Sequence, residues 1–239
     1  ISNGMAVVLI GGPNNGGMVA YDLNSGDQRW KWTGDGPAYG SPVLMTVEGT
    51  KQFVTLTDKM VVGVAAADGQ LLWQIPFVAT GRAYNAATPI IDGQTVFIVG
   101  QGRGTKAVRI EKQGAAFAVK DLWANAEIAV QFSTPVLKDG FLYGLSDRGN
   151  FFCLNARTGE TAWMDTVRRQ NFGAILDAGS VIMGLTQDGT LSVFNPSDKA
   201  YTQIAGIKVA DTQTYAHPVL AGNRIFVRDL DSVALWLID

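Results

Sequence analysis

The sequence predicts an all-β chain, a β-propeller of four-stranded antiparallel blades, about six of them with the first and last incomplete. Three observations carry this reading. One segment recurs along the chain with its spacing preserved, a second is interleaved with it at one equivalent position, and no stretch shows the apolar period of a helix.

The first segment runs Gly16-Gly-Met-Val-Ala-Tyr-Asp22-Leu-Asn-Ser25-Gly26-Asp-Gln-Arg-Trp30. It returns without a gap as Gly149-Asn-Phe-Phe-Cys-Leu-Asn155-Ala-Arg-Thr158-Gly159-Glu-Thr-Ala-Trp163. A third copy spans Asp58 to Trp73 through Asp68-Gly69, and Trp123 closes a fourth whose turn, Glu111 to Gly114, lacks the Ser/Thr-Gly pair. Gly189 to Asn195 opens a fifth without a Trp. Tyr201 is read in the vacant place, so blade five is expected to make the loosest contact with its neighbour. Leu235-Trp236 begins a sixth.

The second segment is Ser41-Pro42-Val43, Thr88-Pro89-Ile90, Thr134-Pro135-Val136, Gly173-Ala174-Ile175 and His217-Pro218-Val219. Most copies lead through a short turn (Asp92-Gly93, Asp139-Gly140, Ala178-Gly179 or Gly222) into a β-rich run, the pattern of a tight hairpin. Each unit of about 40 residues therefore reads as four strands. Strand A follows the Pro, B the Asp-Gly-type turn, C carries Tyr-Asp or Leu-Asn, and D ends at Trp. A Pro at the start of A suits an edge strand, where its missing N–H costs no ladder bond. The predicted blades are 1–32, 40–76, 86–125, 132–165, 172–205 and 215–239, all within one domain, 1–239. The count comes to three strands, four complete blades and three strands. The terminal blades overlap rather than complement each other, which favours part of a larger ring over a closed ring of six.

Composition removes many chemistries. The 239 residues carry 19 Lys+Arg against 21 Asp+Glu, a formal charge of −2, so no basic face for nucleic acid is expected. With 47% hydrophobic and 17% charged residues the chain can bury a large core, which excludes disorder. A single Cys153 and a single His217 exclude an internal disulfide, a Cys-based zinc site and a His cluster. No apolar run approaches the ~20 residues of a membrane-spanning helix, and the chain opens at Ile1 with no leader-like segment.

The pattern Ala-x-Asp-x-x-Ser/Thr-Gly-x-x-x-Trp is met in full by Ala20, Asp22, Ser25, Gly26 and Trp30. Asn155, Thr158, Gly159 and Trp163 meet it with Asp relaxed to Asn. It resembles the tryptophan-docking repeat of the pyrroloquinoline-quinone-like β-propellers, a superfamily holding eight-bladed quinoprotein dehydrogenases and many propellers that bind no quinone. Among the latter is the lipoprotein of the bacterial outer-membrane β-barrel assembly machinery. The resemblance implies an eight-bladed ring, inter-blade packing by Trp30, Trp73, Trp123 and Trp163, and a bacterial extracytoplasmic location. In the catalytic branch it implies a quinone held between a Trp and a vicinal Cys-Cys disulfide, beside Ca²⁺ and a catalytic Asp. A lone Cys cannot form that disulfide, and Asp68, Asp92, Asp139 and Asp188 sit in turns that already explain them. No cofactor and no metal are expected.

Candidate binding residues come from the loops arriving at each strand A: Tyr39, Asn85, Gln131 with Phe132, Asn171 with Phe172, and Tyr215. Sharing one repeat position, they are expected to ring one face, where aromatic and amide side chains suit peptide or carbohydrate contact. Capping of the apolar layer between blades is the competing structural role. His217 replaces Ser, Thr or Gly at the entrance to strand A, as a ligand-binding group or as one bonded to backbone. Arg82, Arg103, Arg148 and Arg228 are expected on loops, mostly as solvated surface. Gly100-Gln-Gly102-Arg-Gly104 follows a strand but opens no helix, so it lacks the mechanism of a phosphate loop. The favoured reading is a non-enzymatic scaffold that binds a protein, peptide or small polymer through one face or the channel mouth. The alternative is a quinoprotein-like oxidoreductase, or a module of one, using pyrroloquinoline quinone and calcium.

Overall fold

A computed structural model describes residues 1–12, 15–81 and 83–238 of the chain. It holds 22 strands and, among the described residues, no helix. The first sheet has three strands, β1 (Met5–Ile10), β2 (Gly17–Asp22) and β3 (Gln28–Thr33). The second is β4 (Val43–Val47), β5 (Thr50–Leu56), β6 (Met60–Ala65) and β7 (Leu71–Pro76). The third is β8 (Ile90–Asp92), β9 (Thr95–Gly100), β10 (Gly104–Gln113) and β11 (Ala116–Asn125). The fourth is β12 (Val136–Lys138), β13 (Phe141–Leu145), β14 (Phe151–Asn155) and β15 (Thr161–Met164), and the fifth β16 (Gly173–Asp177), β17 (Ile182–Thr186), β18 (Thr190–Phe194) and β19 (Gln203–Lys208). The sixth again has three: β20 (Val219–Ala221), β21 (Arg224–Arg228) and β22 (Val233–Leu237). Every sheet is an antiparallel meander in chain order, the blade of a β-propeller. By contacts the chain divides into two compact units, Ile1–Ala126 with β1–β11 and Glu127–Asp239 with β12–β22.

Local chemistry explains the repeat. Pro42, Pro89, Pro135 and Pro218 each stand one residue before an outermost strand of their sheet, so no ladder bond is lost. In the C–D turn of the first blade the Asp22 carboxylate accepts the N–H groups of Asn24 at 2.9 Å and Ser25 at 3.0 Å. Asn155 does the same for Arg157 and Thr158 at 2.9 and 3.1 Å, which is why Asp and Asn interchange there. The Ser25 and Asn24 amides, with the Arg29 guanidinium, hold the Asp22 carboxyl down at about 2. Gly26, Gly69 and Gly159 close these turns at φ +77°, +78° and +76°.

In the first five blades strand D slips against strand C at one place: Ala20/Tyr21, Gly63/Val64, Ala107/Val108, Cys153/Leu154 and Val193/Phe194. The D residues opposite the first of each pair are Trp30, Trp73, Trp123, Trp163 and, in blade five, Ala205. Tyr201 is thus not the counterpart of the tryptophans. The chain from Asn195 to Ala205 is two residues longer than from Asn155 to Trp163, and the extra length carries Tyr201 elsewhere. It packs on Phe194 at 5.1 Å, Phe151 at 5.7 Å and Trp163 at 5.8 Å between ring centroids.

Within each unit the core lies in apolar layers between consecutive sheets. Met18, Ala20, Trp30 and Trp32 of the first blade meet Phe53, Val62, Val64 and Ala66 of the second. Val54, Leu56, Val61 and Trp73 of the second meet Val96, Ile98, Val108 and Ile110 of the third. In the other unit, Tyr143, Phe151, Cys153 and Trp163 meet Ile175, Ile182 and Phe194. Each Val, Leu, Ile, Phe or Met side chain buried there contributes about 1.5–3 kcal/mol by leaving water. The Trp30 indole N–H donates to the Ala66 carbonyl of the next blade at 3.2 Å, and that of Trp163 to Ser197 of the next blade at 2.6 Å. Trp73 instead donates to the Gln52 amide oxygen of its own sheet. Between the fifth and sixth sheets, where Ala205 takes the indole's place, an apolar cleft of about 380 Å³ remains.

Candidate binding loops

In unit Ile1–Ala126 three loops are fastened together by one side chain. Asn85 is 4% exposed; its Nδ2 donates to the carbonyls of Thr57 at 2.8 Å, Phe77 at 3.0 Å and Asp58 at 3.2 Å. Its Oδ1 accepts from Arg103 Nη1 at 2.6 Å, and its carbonyl accepts the Tyr39 N–H at 3.0 Å. Asn85 therefore spends its amide on the scaffold, and what it presents is a tyrosine pair. Tyr39, 76% exposed, meets Tyr84 edge-on at 5.8 Å and 86°. The two rings border a cleft of about 360 Å³ with Asn85, Pro37 and Asp58. Tyr84 was legible in the sequence as the neighbour of Asn85 but is not among the residues the repeat singles out.

Arg103 is no solvated surface arginine. Its guanidinium lies 4.1 Å over the Phe77 ring, bonds the Phe77 carbonyl at 2.9 Å, and burial pulls its pKa down. Arg148 and Arg228 are exposed as expected, but Arg228 ends strand β21 rather than lying on a loop, while Arg82 lies outside the described residues. Gly100 to Gly104 forms the β9–β10 turn and leads into a strand.

In unit Glu127–Asp239 the other candidates meet in a continuous ledge. Phe132 and Phe172 stack with centroids 4.1 Å apart at 10°, and Phe172 meets Tyr215 edge-on at 5.2 Å and 84°. Gln131 accepts a hydrogen bond from Asn171 Nδ2 beside the stack. The Tyr215 hydroxyl accepts from Gln187 Nε2 and donates to Gln213 Oε1, each at 2.7 Å. Three rings and a belt of amides are thus locked in one geometry, with Tyr215 52% exposed. His217 is exposed, its Nδ1–H donating to the Pro218 carbonyl at 3.0 Å.

The residues present do not fit a quinone with its calcium ion. Cys153 is buried within β14, and burial pushes its thiol up to about 12. The Asp22, Asp188 and Asp229 carboxylates accept hydrogen bonds from their own turns. Among the described residues no three His, Cys, Asp or Glu side chains converge as a metal site.

Repeated four-stranded meanders, an Asx-Gly C–D turn and an indole seated on the next blade define the class, a β-propeller of the pyrroloquinoline-quinone-like repeat type. A family profile described as outer membrane protein assembly factor BamB matches residues 1–165 and 115–201, and the chain belongs to that family. It is 23% identical over 232 residues to the outer membrane protein assembly factor BamB of Yersinia pestis, covering 87% of this chain and 58% of the relative. The chain thus spans little more than half the length of that relative. Among solved structures it resembles BamB from Moraxella catarrhalis, with TM-score 0.56, 17% identity, and 99% and 83% of the two chains covered. It also resembles the β-propeller domain of Cps50 (Swd1) from Myceliophthora thermophila, with TM-score 0.66, 12% identity, and 97% and 79% covered. These two likenesses show the fold.

Proposed function

We propose that residues 1–239 form one propeller domain that acts as a non-catalytic scaffold, binding a protein or peptide partner through the loops that enter strand A. The observation that carries this reading is the Phe132–Phe172–Tyr215 ledge, rigid aromatic surface flanked by amides, the composition that anchors protein partners. The exposed Tyr39–Tyr84 pair repeats that chemistry in the other unit. Membership of a family described as an outer-membrane protein assembly factor supports a role in that assembly, in a bacterial extracytoplasmic compartment. On this reading Trp30 and Trp163 are docking residues that keep the blades rigid, and His217 bonds backbone rather than ligand.

Site-specific photo-crosslinking tests the proposal. A crosslinking side chain at Tyr215 or Tyr39 should capture one envelope protein, and Phe172→Ala should weaken that complex about tenfold or more, as loss of an aromatic anchor does. Capture only from the outer-edge position Ile204, with Phe172→Ala silent, would move the interface off these loops.

A further inference from the structure

The Tyr39–Tyr84 cleft holds a carboxylate that the chain itself does not use. Asp58 stands in the turn between β5 and β6, held by two of the loops that enter strand A. Its N–H donates to the Gly36 carbonyl of one loop at 2.9 Å, and its carbonyl accepts Asn85 Nδ2 of the next at 3.2 Å. Gln187 has the same place in the fifth blade, its N–H donating to the Phe172 carbonyl at 3.0 Å. There the side chain reaches the following loop and donates to the Tyr215 hydroxyl at 2.7 Å. In the second blade the side chain is a carboxylate, and Asp58 lines the cleft with both tyrosines. Among the described residues it accepts no hydrogen bond and forms no ion pair, and neither tyrosine hydroxyl is bonded.

Nearby cations are committed elsewhere. Arg103 bonds Asn85 Oδ1 and the Phe77 carbonyl, and Lys59 lines a different cleft with Trp32 and Asp35. Asn85 spends its Nδ2 on Thr57, Phe77 and Asp58, so it has no donor left for a ligand. What the cleft offers is a negative charge, the lone pairs of two hydroxyls and the electron-rich faces of two rings set at 86°. That set suits a cation with several donors and a flat face, and it rejects an anion.

We propose that this cleft is a binding site for a guanidinium, the arginine side chain of a partner polypeptide. The guanidinium would stack on a tyrosine ring and give two parallel N–H bonds to the Asp58 carboxylate, a fork that a lysine ammonium cannot match. The polypeptide source rests on the scaffold reading above, whereas the guanidinium preference rests on the cleft alone.

Calorimetric titration of the full chain with N-acetyl-argininamide, its lysine counterpart and its uncharged citrulline counterpart tests it. The expected result is saturable binding of the arginine amide, tighter than the lysine amide and about tenfold or more tighter than the citrulline amide. Asp58→Asn should weaken the arginine amide by a similar factor, and Tyr84→Leu should weaken it about threefold. Both residues are exposed, and the backbone bonds of Asp58 do not involve its carboxylate, so the fold is retained. Citrulline or lysine amide binding as tightly as arginine, Asp58→Asn without effect, or no binding at all would overturn the site. Full-strength photo-crosslinked capture of the partner by the Asp58→Asn protein would overturn the polypeptide source and spare the scaffold reading. Asp58-dependent binding of the arginine amide, with no partner captured at any loop, would refute the scaffold reading and keep the guanidinium site.

Discussion

The seating of an indole on the next blade's turn can be tested by adding a single methyl group. Gly26 and Gly69 occupy the same turn in the first and second blades, at φ +77° and +78°, with matching backbone bonds to Asp22 and Ala65. A Cβ on Gly26 would meet nothing within 4 Å. A Cβ on Gly69 would stand 2.7 Å from Cε3 and 3.0 Å from Cδ2 of Trp30. Gly26→Ala therefore isolates the left-handed backbone penalty, about 1–2 kcal/mol. Gly69→Ala carries that penalty plus a steric one, because the ring is held by Ala66 and packed on Phe53 at 6.3 Å and cannot swing away. Overpacking of this kind adds about 1–3 kcal/mol. Trp30→Ala alone should cost about 3–5 kcal/mol. In the double variant the clash has no partner, so the two losses should sum to about 1–3 kcal/mol more than is measured. Urea unfolding followed by far-UV circular dichroism reads the wild type and all four variants without depending on tryptophan fluorescence. Equal costs for Gly26→Ala and Gly69→Ala, or strict additivity in the double variant, would refute the docking of Trp30 on the second blade.

Three further outcomes follow from the same structure. Asp22→Asn should keep its turn, since Asn155 makes the same two bonds, yet lose an acid-sensitive contribution to stability. With a folded pKa of about 2 against about 3.9 for a free Asp, that contribution is present above pH ~4 and lost as pH falls toward 2. Denaturation curves across this window should be flatter for the variant, and identical slopes would count against the assignment. Asn85→Ala should destabilise by about 1–3 kcal/mol, because it takes the buried amide donor from the Thr57 carbonyl and one acceptor from Arg103 Nη1, which keeps the Phe77 carbonyl; thermal unfolding checks it, and a loss under 0.5 kcal/mol would show those groups finding other partners. Cys153, held near 12 by burial, should resist a thiol reagent at pH 8 in the native protein and react once it is unfolded; rapid labelling of the native chain would place the thiol at a surface.

Much of the fold was legible because turn chemistry and strand alternation are local. Gly26, Gly69 and Gly159 announce their hairpins by needing positive φ, and the Pro that opens a blade can stand only at a sheet edge. The predicted sequence of three strands, four complete blades and three strands is the sequence observed. Tyr201 was misassigned because equivalence in a sheet is set by cross-strand pairing rather than residue count. Two extra residues in the fifth C–D connection move the docking position to Ala205, and an alanine carries no signal of the ring it replaces.

Asn85 and Arg103 failed to declare themselves for the opposite reason, since their roles depend on partners in other loops. Asn85 looked like a presented amide and is spent internally; Arg103 looked solvated and is the lid over Phe77. The shared repeat position of Phe132, Phe172 and Tyr215 was readable in the sequence, but only the folded chain shows Phe132 and Phe172 in parallel contact with Tyr215 closing the row. The physical distinction is that a repeat conserves the backbone path on which loops are mounted, whereas the loops' side chains are free to differ from blade to blade. Recognition residues are therefore to be sought where the copies disagree. By that criterion the loops entering strand A stand out, alongside the other departures of this chain from its own pattern: the Glu111–Gly114 turn, Gly173-Ala174 in place of a Pro pair, and Ala205 at the fifth docking position.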